Sequence, residues 1–225
     1  MNSEVKKEKI SDKIGIYVNN THRFGTDAVL LSEFAAAKHN DIVCDLCTGC
    51  GIVALRLLKF EPKSVMAVDI QKEAVELLQR SIEEFQLENV KAICGDLKSL
   101  EYNEEFTLIT CNPPYKKEGT GIENPNISER IARHEVMCNI NDICKISKKM
   151  LKHNGRLCLC DRPERLADVI FAMRDNNIEP KKIQFVSKNE NSKPWLFLIE
   201  GKKNSKPFME VLPQIYIKDG VKFSE

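Results

Sequence analysis

The sequence contains no long hydrophobic run, no secretory leader and no internal repeat. Its longest apolar runs, such as residues 195–199, are about five residues long, whereas a membrane-spanning helix needs roughly 20. The first ten residues are charged and lack the apolar stretch of a signal peptide, so we expect neither a membrane span nor export. With 42% hydrophobic and 30% charged residues, the composition also excludes a wholly disordered chain.

Histidine is scarce, whereas cysteine is frequent and odd in number. The four histidines are scattered and do not have the spacing of metal ligands. Nine cysteines without an export signal favour reduced thiols over a disulfide framework. Together these features predict a cytoplasmic protein.

Net charge is close to zero, but it is unevenly distributed along the chain. Residues 1–144 hold 17 Lys and Arg against 23 Asp and Glu, while residues 145–225 hold 17 against 10. The basic C-terminal half is therefore a candidate surface for a polyanion, and an ordinary solvated lysine-rich surface is the alternative.

The hydrophobic pattern predicts one α/β domain over residues 1–225, with an N-terminal arm (1–25) and a C-terminal extension (204–225). Residues 1–13 are polar and expected to be loose, residues 14–18 suit a strand or an extended arm, and Thr26 or Asp27 can cap the first helix. Predicted helices cover residues 28–38, 52–60, 73–85, 140–152 and 166–174. Predicted strands cover residues 42–46, 64–69, 90–94, 106–111 and 156–160, with an antiparallel hairpin at 183–187 and 195–200 and a short strand pair in 208–217.

Strands that alternate with helices indicate a mostly parallel sheet covered on both faces. In such sheets, ligands bind beyond the carboxyl ends of the strands. Here a polar residue lies within two residues of the carboxyl end of each of the first four strands, and these residues are Asp45, Asp69, Asp96 and Asn112. The sequence therefore predicts a site along this edge of the sheet.

The pattern Asp45-x-x-x-Gly49-x-Gly51 resembles a nucleotide-binding turn, because glycine lets the backbone approach a ligand closely. Asp69 follows at the end of the next strand, where a carboxylate can accept from both hydroxyls of a ribose. This pair of features favours a cofactor that carries adenosine, without distinguishing NAD from S-adenosylmethionine.

The segment Asn112-Pro113-Pro114-Tyr115 favours the second cofactor. Two prolines fix the backbone after the strand and remove N–H donors, so the Asn112 amide oxygen and the Pro113 carbonyl can both accept from a planar NH2 group. Tyr115 offers an aromatic face to a flat ring. We therefore expect Asn112, Pro113 and Tyr115 to be the catalytic residues.

With these motifs, the sequence resembles the class I S-adenosylmethionine-dependent methyltransferases of the Asn-Pro-Pro-Tyr type, and more narrowly the bacterial tRNA1(Val) (adenine(37)-N6)-methyltransferase family. The narrower resemblance is carried by the motif at residues 23–31, which begins Arg-Phe-Gly-Thr-Asp, by Ile-Ala-Arg-His-Glu at 131–135, and by residues 196–203. It implies a Rossmann-like, seven-stranded sheet, mostly parallel with an antiparallel C-terminal hairpin.

The resemblance also implies a function and a set of binding residues. The function is methyl transfer from S-adenosylmethionine to N6 of adenine in RNA, at adenosine 37 of a valine tRNA. Asp69 would hold the ribose, Asp96 and Leu97 the adenine, and Asn112 would bridge cofactor and substrate. The full set of implied cofactor-binding residues is Phe24, Thr26, Asp45, Cys47, Gly49, Gly51, Asp69, Ile70, Asp96, Leu97 and Asn112.

Two further expectations concern Cys47 and the RNA. Relatives usually carry Asp-x-Gly-x-Gly-x-Gly, and Cys47 replaces the first glycine, so we expect Cys47 to adopt a negative φ without strain. RNA, a tRNA by this resemblance, is expected to contact the loop 116–128, the basic C-terminal half and four cations near the motif. These cations are Lys116, Lys117, Arg130 and Arg133.

Several alternatives remain open at this point. Cys44, Cys47 and Cys50 have a spacing seen in iron–sulfur ligation, and His134 suits a base or ligand as well as a structural or RNA contact. The Asn-Pro-Pro-Tyr motif also occurs in enzymes that methylate a glutamine amide of release factors, although those carry an added N-terminal helical domain, and about 25 residues precede the first helix here. Guanine-N2 methylation of ribosomal RNA and a non-catalytic RNA-binding module complete the alternatives.

Overall fold

The structure of the protein, a computed structural model, describes residues 4–113 and 139–217. In these ranges the helices are α1 (Thr26–Ala35), α2 (Ile52–Leu57), α3 (Lys72–Glu84), α4 (Ile140–Met150) and α5 (Leu166–Asp175). The strands are β1 (Lys6–Lys9), β2 (Gly15–Val18), β3 (Ile42–Leu46), β4 (Ser64–Asp69), β5 (Val90–Cys94), β6 (Phe106–Cys111), β7 (Leu151–Asp161), β8 (Ile178–Ser187), β9 (Leu196–Lys203), β10 (Glu210–Val211) and β11 (Ile215–Tyr216).

Nine strands form one sheet in the order β5-β4-β3-β6-β7-β9-β8-β10, with β11 also paired to β8. Strands β3 to β7 are mutually parallel, whereas β9 runs antiparallel to both β7 and β8. This confirms the predicted seven-stranded α/β sheet with its antiparallel hairpin. The predicted strand pair in the tail is present as β10 and β11, but each pairs with β8 and extends the edge of the sheet.

Apolar side chains cover both faces of the sheet. On one face, Leu31 of α1, Leu55 of α2 and Leu78 of α3 belong to a single buried cluster. On the other face, Ile143 of α4 and Met173 of α5 belong to a second cluster. Strands buried on both faces explain the nearly continuous apolar runs in the sequence. Among the described helices, none combines the length and apolar character that crossing a membrane requires.

The order of the strands places a crevice beside β3. The chain passes outward through β3, β4 and β5, and then returns to form β6 on the opposite side of β3. At such a point the connections that leave neighbouring strands diverge, which opens a crevice at the carboxyl ends. The carboxyl ends of β3 and β6 therefore carry the candidate site.

The N-terminal residues are ordered as a β-hairpin, whereas the sequence suggested a loose segment up to residue 13. Strands β1 and β2 pair antiparallel, and β2 is buried. The Tyr17 hydroxyl contacts Glu84, the Ser81 hydroxyl accepts from the Tyr17 backbone N–H at 3.0 Å, and the Arg80 guanidinium lies 3.9 Å from the Tyr17 ring centre. These contacts attach the hairpin to helix α3.

Two predicted helix boundaries were wrong. Gly25 is the N-cap of α1, and neither Thr26 nor Asp27 caps it, because both already lie inside the helix. Helix α4 ends at Met150, before the predicted stop at Asn154 and Gly155. Those two residues lie within β7. Leu151 pairs with Phe106, and after a register shift the pairing of β7 with β6 continues from Arg156 and Leu108.

Candidate active site

The carboxylate of Asp45 organises the loop that follows β3. Asp45 is 1% exposed, and it accepts hydrogen bonds from the hydroxyls of Thr48 at 2.5 Å and Thr110 at 2.6 Å. Burial raises the pKa of Asp45 to about 6, and the bonds from Thr110 and Thr48 oppose this rise. Asp45 is thus committed to holding the loop against β6.

Three residues of this loop have left-handed backbone conformations. Cys47 has φ 56°, Gly49 has φ 56° and Gly51 has φ 93°. The expectation of a negative φ at Cys47 was wrong. The loop keeps the backbone path that suits glycine, and Cys47 therefore carries a strain of order 1 kcal/mol because of its Cβ.

The two glycines have different surroundings. A Cβ at Gly51 would collide with the buried Leu78 of α3, so Gly51 allows the loop to pack against that helix. A Cβ at Gly49 would meet nothing within 4 Å, and the same is true of Gly95 after β5. Open space thus adjoins Gly49 and Gly95, at the carboxyl ends of β3 and β5.

Asp69, at the end of β4, links this loop to its neighbour. One carboxylate oxygen accepts from the Gly49 backbone N–H at 2.7 Å, and the other accepts from the Gln71 backbone N–H at 2.9 Å. Asp69 is 6% exposed, whereas the side chain of the next residue, Ile70, is exposed. A carboxylate and an apolar surface therefore lie next to the Gly49 loop.

Asp96 and Leu97 lie at the third strand end, in the turn after β5. The Asp96 carboxylate accepts from the Lys98 backbone N–H at 2.9 Å and caps a short 3-10 helix (Leu97–Ser99). Leu97 is buried beneath it and Asp96 is half-exposed. The binding roles predicted for Asp45, Cys47, Gly49, Gly51, Asp69, Ile70, Asp96 and Leu97 stay predictions.

Asn112 lies just beyond β6, and its side chain contacts two distant segments. Its Nδ2 donates to the Asp27 carboxylate of α1 at 3.4 Å, and its Oδ1 accepts from the Cys160 thiol of β7 at 3.1 Å. The following Pro113 is buried. Of the predicted binding residues near α1, Phe24 packs against the core and Thr26 is the exposed first residue of the helix.

Several predicted functional residues lie outside the described ranges. These are Tyr115, Lys116, Lys117, Arg130, Arg133 and His134, together with the loop 116–128 and the motif at 131–135. Their predicted roles therefore stay predictions.

Several cations of the basic C-terminal half lie away from the strand ends. Lys202 pairs in register with Arg156, five residues before the end of β7, and Lys181, Lys182 and Lys202 line one groove with the exposed Phe208. Arg162 is an exception, because it follows β7 directly. Its guanidinium lies 5.7 Å from the ring centre of Trp195 and donates to the Trp195 carbonyl at 2.8 Å.

The cysteine spacing that suggested an iron–sulfur cluster does not produce a ligand set. Cys44 and Cys50 belong to the buried clusters on opposite faces of the sheet. Within residues 4–113 and 139–217, no group of three or more His, Cys, Asp or Glu side chains is arranged to hold a metal ion.

Sequence reasoning missed four side chains that shape the site, namely Asp27, Thr48, Thr110 and Cys160. Thr48 was detectable, since it lies three residues after Asp45 in the same loop. The contacts of Asp27 and Cys160 with Asn112 span 85 and 48 positions and have no local signature.

Comparisons with known proteins identify the family of this chain. A family described as "Methyltransferase small domain" matches residues 7–171. The chain is 28% identical over 182 residues to the tRNA1(Val) (adenine(37)-N6)-methyltransferase of Parabacteroides distasonis, covering 79% of this chain and 76% of that protein. Other proteins of the same name, from a Flavobacteriaceae bacterium and Porphyromonas gingivalis, match over 58–61% of their length.

A release factor methyltransferase and a solved methyltransferase structure are also similar to this chain. A release factor glutamine methyltransferase from Clostridium acetobutylicum is 30% identical over 143 residues, which cover 57% of this chain and 48% of that protein. The crystal structure of a predicted O-methyltransferase from Agrobacterium tumefaciens matches with a TM-score of 0.66 at 18% identity, covering 87% of this chain and 90% of that one. At this identity the last comparison shows a shared fold.

Proposed function

The chain belongs to the methyltransferase small domain family, and from that premise we propose that it transfers a methyl group from S-adenosylmethionine to the N6 amino group of adenine in RNA, at adenosine 37 of a valine tRNA. The observation that carries the proposal is the position of Asn112, which directly follows β6 where the order of the strands reverses beside β3. The relative from Parabacteroides distasonis supports the choice of substrate.

The residues around the Gly49 loop fit the cofactor. Space lies open where Gly49 and Gly95 lack side chains, and the Asp69 carboxylate and the apolar Ile70 border the same loop. We assign Asp69 to the ribose hydroxyls, Asp96 and Leu97 to the adenine ring, and Gly49 to the methionine portion. When bound there, S-adenosylmethionine supplies a methyl group activated by a sulfonium centre.

The chain's own contribution to the reaction is orientation and hydrogen bonding. The N6 lone pair of adenine is delocalised into the ring, which makes the free amine a poor nucleophile. Two acceptors, Asn112 Oδ1 and the Pro113 carbonyl, hold both N–H bonds and localise electron density on nitrogen. Fixing the amine in line with the donor can lower the barrier by roughly 7–11 kcal/mol in favourable cases.

The proton requires no dedicated base in this scheme. As the new N–C bond forms and the donor's S–C bond breaks, the nitrogen becomes positively charged and its proton becomes acidic. Asn112 Oδ1 holds that N–H until the proton passes to water.

The target adenine must also leave its stack of neighbouring bases to enter the crevice. This costs least in an RNA loop that is already single-stranded.

A decisive experiment supplies the purified protein with methyl-labelled cofactor and an unmodified transcript of the valine tRNA, followed by nucleoside analysis. We expect N6-methyladenosine at position 37, and no incorporation into a transcript with guanosine at that position. Incorporation into guanine, or into no nucleoside, would overturn the proposal.

The relative from Clostridium acetobutylicum gives the second candidate, methylation of a release factor glutamine amide. That amide is also a planar NH2 group with two donors, so Asn112 and Pro113 suit it equally. A release factor offered in the same assay separates the two, since label in the protein and none in the RNA would assign the amide as substrate. Failure to bind the cofactor would favour a non-catalytic RNA-binding module.

A further inference from the structure

Building on the proposed transfer to an amino nitrogen, we propose that Asp27 and Cys160 are positioning residues that hold the Asn112 side chain with its carbonyl oxygen, and not its NH2 group, directed to the substrate amine. Their contacts lie at opposite ends of one amide. Asp27 accepts from Nδ2 at 3.4 Å, and Cys160 donates to Oδ1 at 3.1 Å.

The chemistry of the two partners allows one orientation of the amide. The Asp27 carboxylate oxygen accepts from Nδ2, so the NH2 end of the amide faces Asp27. Burial raises the pKa of the Cys160 thiol well above its ordinary value, with the Asp27 charge as the next cause, so the sulfur keeps its proton and acts as a donor. A flipped amide would place its oxygen against the Asp27 carboxylate oxygen, which is another acceptor, and would take the acceptor away from the Cys160 S–H group.

This orientation decides whether Asn112 can serve the proposed reaction. An amino nitrogen presents two N–H donors, so it needs acceptors, and a flipped Asn112 would offer a third donor. The amide oxygen has two lone pairs, and a thiol is a weak donor. Cys160 therefore leaves one lone pair for the substrate, while the Asp27 charge polarises the amide and increases the negative charge on Oδ1.

Both positioning residues belong to rigid elements. Asp27 lies in the first turn of α1, and the other end of that helix is fixed by Arg156, whose guanidinium donates to the Ala35 carbonyl at 2.9 Å and pairs with Asp41 at 3.1 Å. Cys160 is 0% exposed within β7, between β6 and β9. The amide is thus held between a fixed helix and the centre of the sheet.

Steady-state kinetics on the tRNA substrate test the consequence. Asp27→Ala should lower kcat about 30- to 100-fold, since a small misplacement of a positioning group can cost about a hundredfold. KM for the cofactor and for RNA should stay within about threefold of the wild-type values. A general loss of structure in the site would raise KM as well as lower kcat. Asp27→Asn should give an intermediate loss, because an amide there can present either a donor or an acceptor.

Cys160→Ala should lower kcat about two- to fivefold, because Asp27 still orients the amide. Two matched controls should keep the wild-type kcat. Glu33→Gln removes a carboxylate from the same helix, where it pairs with Arg56 at 2.6 Å, and Cys158→Ala removes a thiol two residues earlier on the same face of β7. An Asp27→Ala variant as active as the wild type would overturn the proposal.

A second measurement needs no substrate and therefore separates this proposal from the proposed function. In protein labelled with 15N-asparagine, the side-chain NH2 signal of Asn112 is assigned by its loss in Asn112→Ala. It should move in Asp27→Ala and stay in place in Glu33→Gln. If the wild type methylates no RNA, the proposed function fails, but the Asn112 signal still tests whether Asp27 positions the Asn112 amide. An unmoved signal in Asp27→Ala overturns the positioning proposal.

Discussion

The strand ends on the two sides of the crevice hold their polar groups in different ways. On the β3–β4 side, the Asp69 carboxylate accepts from backbone N–H groups, and Asp45 accepts from Thr48 of its own loop and Thr110 of the paired strand. On the β6–β7 side, Asn112 is held by side chains of α1 and β7. The first region is a cradle held by backbone N–H groups and by the hydroxyls of Thr48 and Thr110, and the second is an acceptor held by a carboxylate and a thiol.

This difference separates the effects of mutation. Changes in the cradle should alter stability and cofactor affinity, because its side chains support a loop. Changes at the acceptor should alter the rate of transfer, because its side chains orient one functional group.

Asn112→Ala should reduce kcat at least about a thousandfold, because it removes an acceptor from the reacting amine and misorients the substrate. Cofactor affinity, measured by calorimetry, should change less than about threefold. A variant with full activity would remove the acceptor from the mechanism.

Asp45 should make stability depend on pH. Its pKa is raised from 3.8 to about 6 in the folded state, so its contribution to stability is fully present below pH 3.8 and is lost as pH rises through 6. A rise of about 2 in pKa corresponds to about 3 kcal/mol. In urea titrations, we therefore compare the free energy of unfolding of Asp45→Asn with that of the wild type at each pH. The difference, variant minus wild type, should increase by about 3 kcal/mol from pH 3.5 to pH 7. A constant difference would contradict the burial of an ionisable Asp45.

Gly51→Ala should lower the free energy of unfolding by about 2–3 kcal/mol, because φ 93° disfavours a Cβ and that Cβ would collide with Leu78. Gly49→Ala is the matched control. It has a left-handed φ and open space, so its loss should be about 1 kcal/mol. Equal losses in urea denaturation would show that the Leu78 contact is unimportant.

Asp69→Ala should weaken cofactor binding about tenfold to thirtyfold. The substitution removes the carboxylate that is assigned to the ribose and that also accepts from the Gly49 backbone N–H. At saturating cofactor, kcat should stay within about threefold. A large loss of kcat with unchanged affinity would contradict the division between cradle and acceptor.

Cys47→Gly should raise the free energy of unfolding by up to about 1 kcal/mol, because it relieves a Cβ at φ 56°, and the greater flexibility of glycine offsets part of the gain. Cys47→Ala keeps a Cβ and serves as the control. Stabilisation by both variants alike would assign the effect to the thiol and not to the backbone.

The sequence was informative where a structural feature depends on neighbouring residues. The apolar runs at 42–46 and 64–69 predicted β3 and β4 with the same bounds. Spacing along the chain also placed Asp45, Asp69 and Asp96 at adjacent strand ends, because parallel strands carry their carboxyl ends to one edge. Boundaries failed where tertiary pairing prevailed, as at Leu151, which leaves α4 to pair with Phe106.

The sequence alone determined the α/β class and the series of polar strand ends, because periodicity and strand direction are local properties. The tertiary structure decided that Cys47 adopts a glycine-like conformation, because the backbone N–H groups of Thr48 and Gly49 donate hydrogen bonds to β4. It also decided which way the Asn112 amide faces. That choice depends on a carboxylate and a thiol far away along the chain, which only folding brings to opposite ends of one side chain.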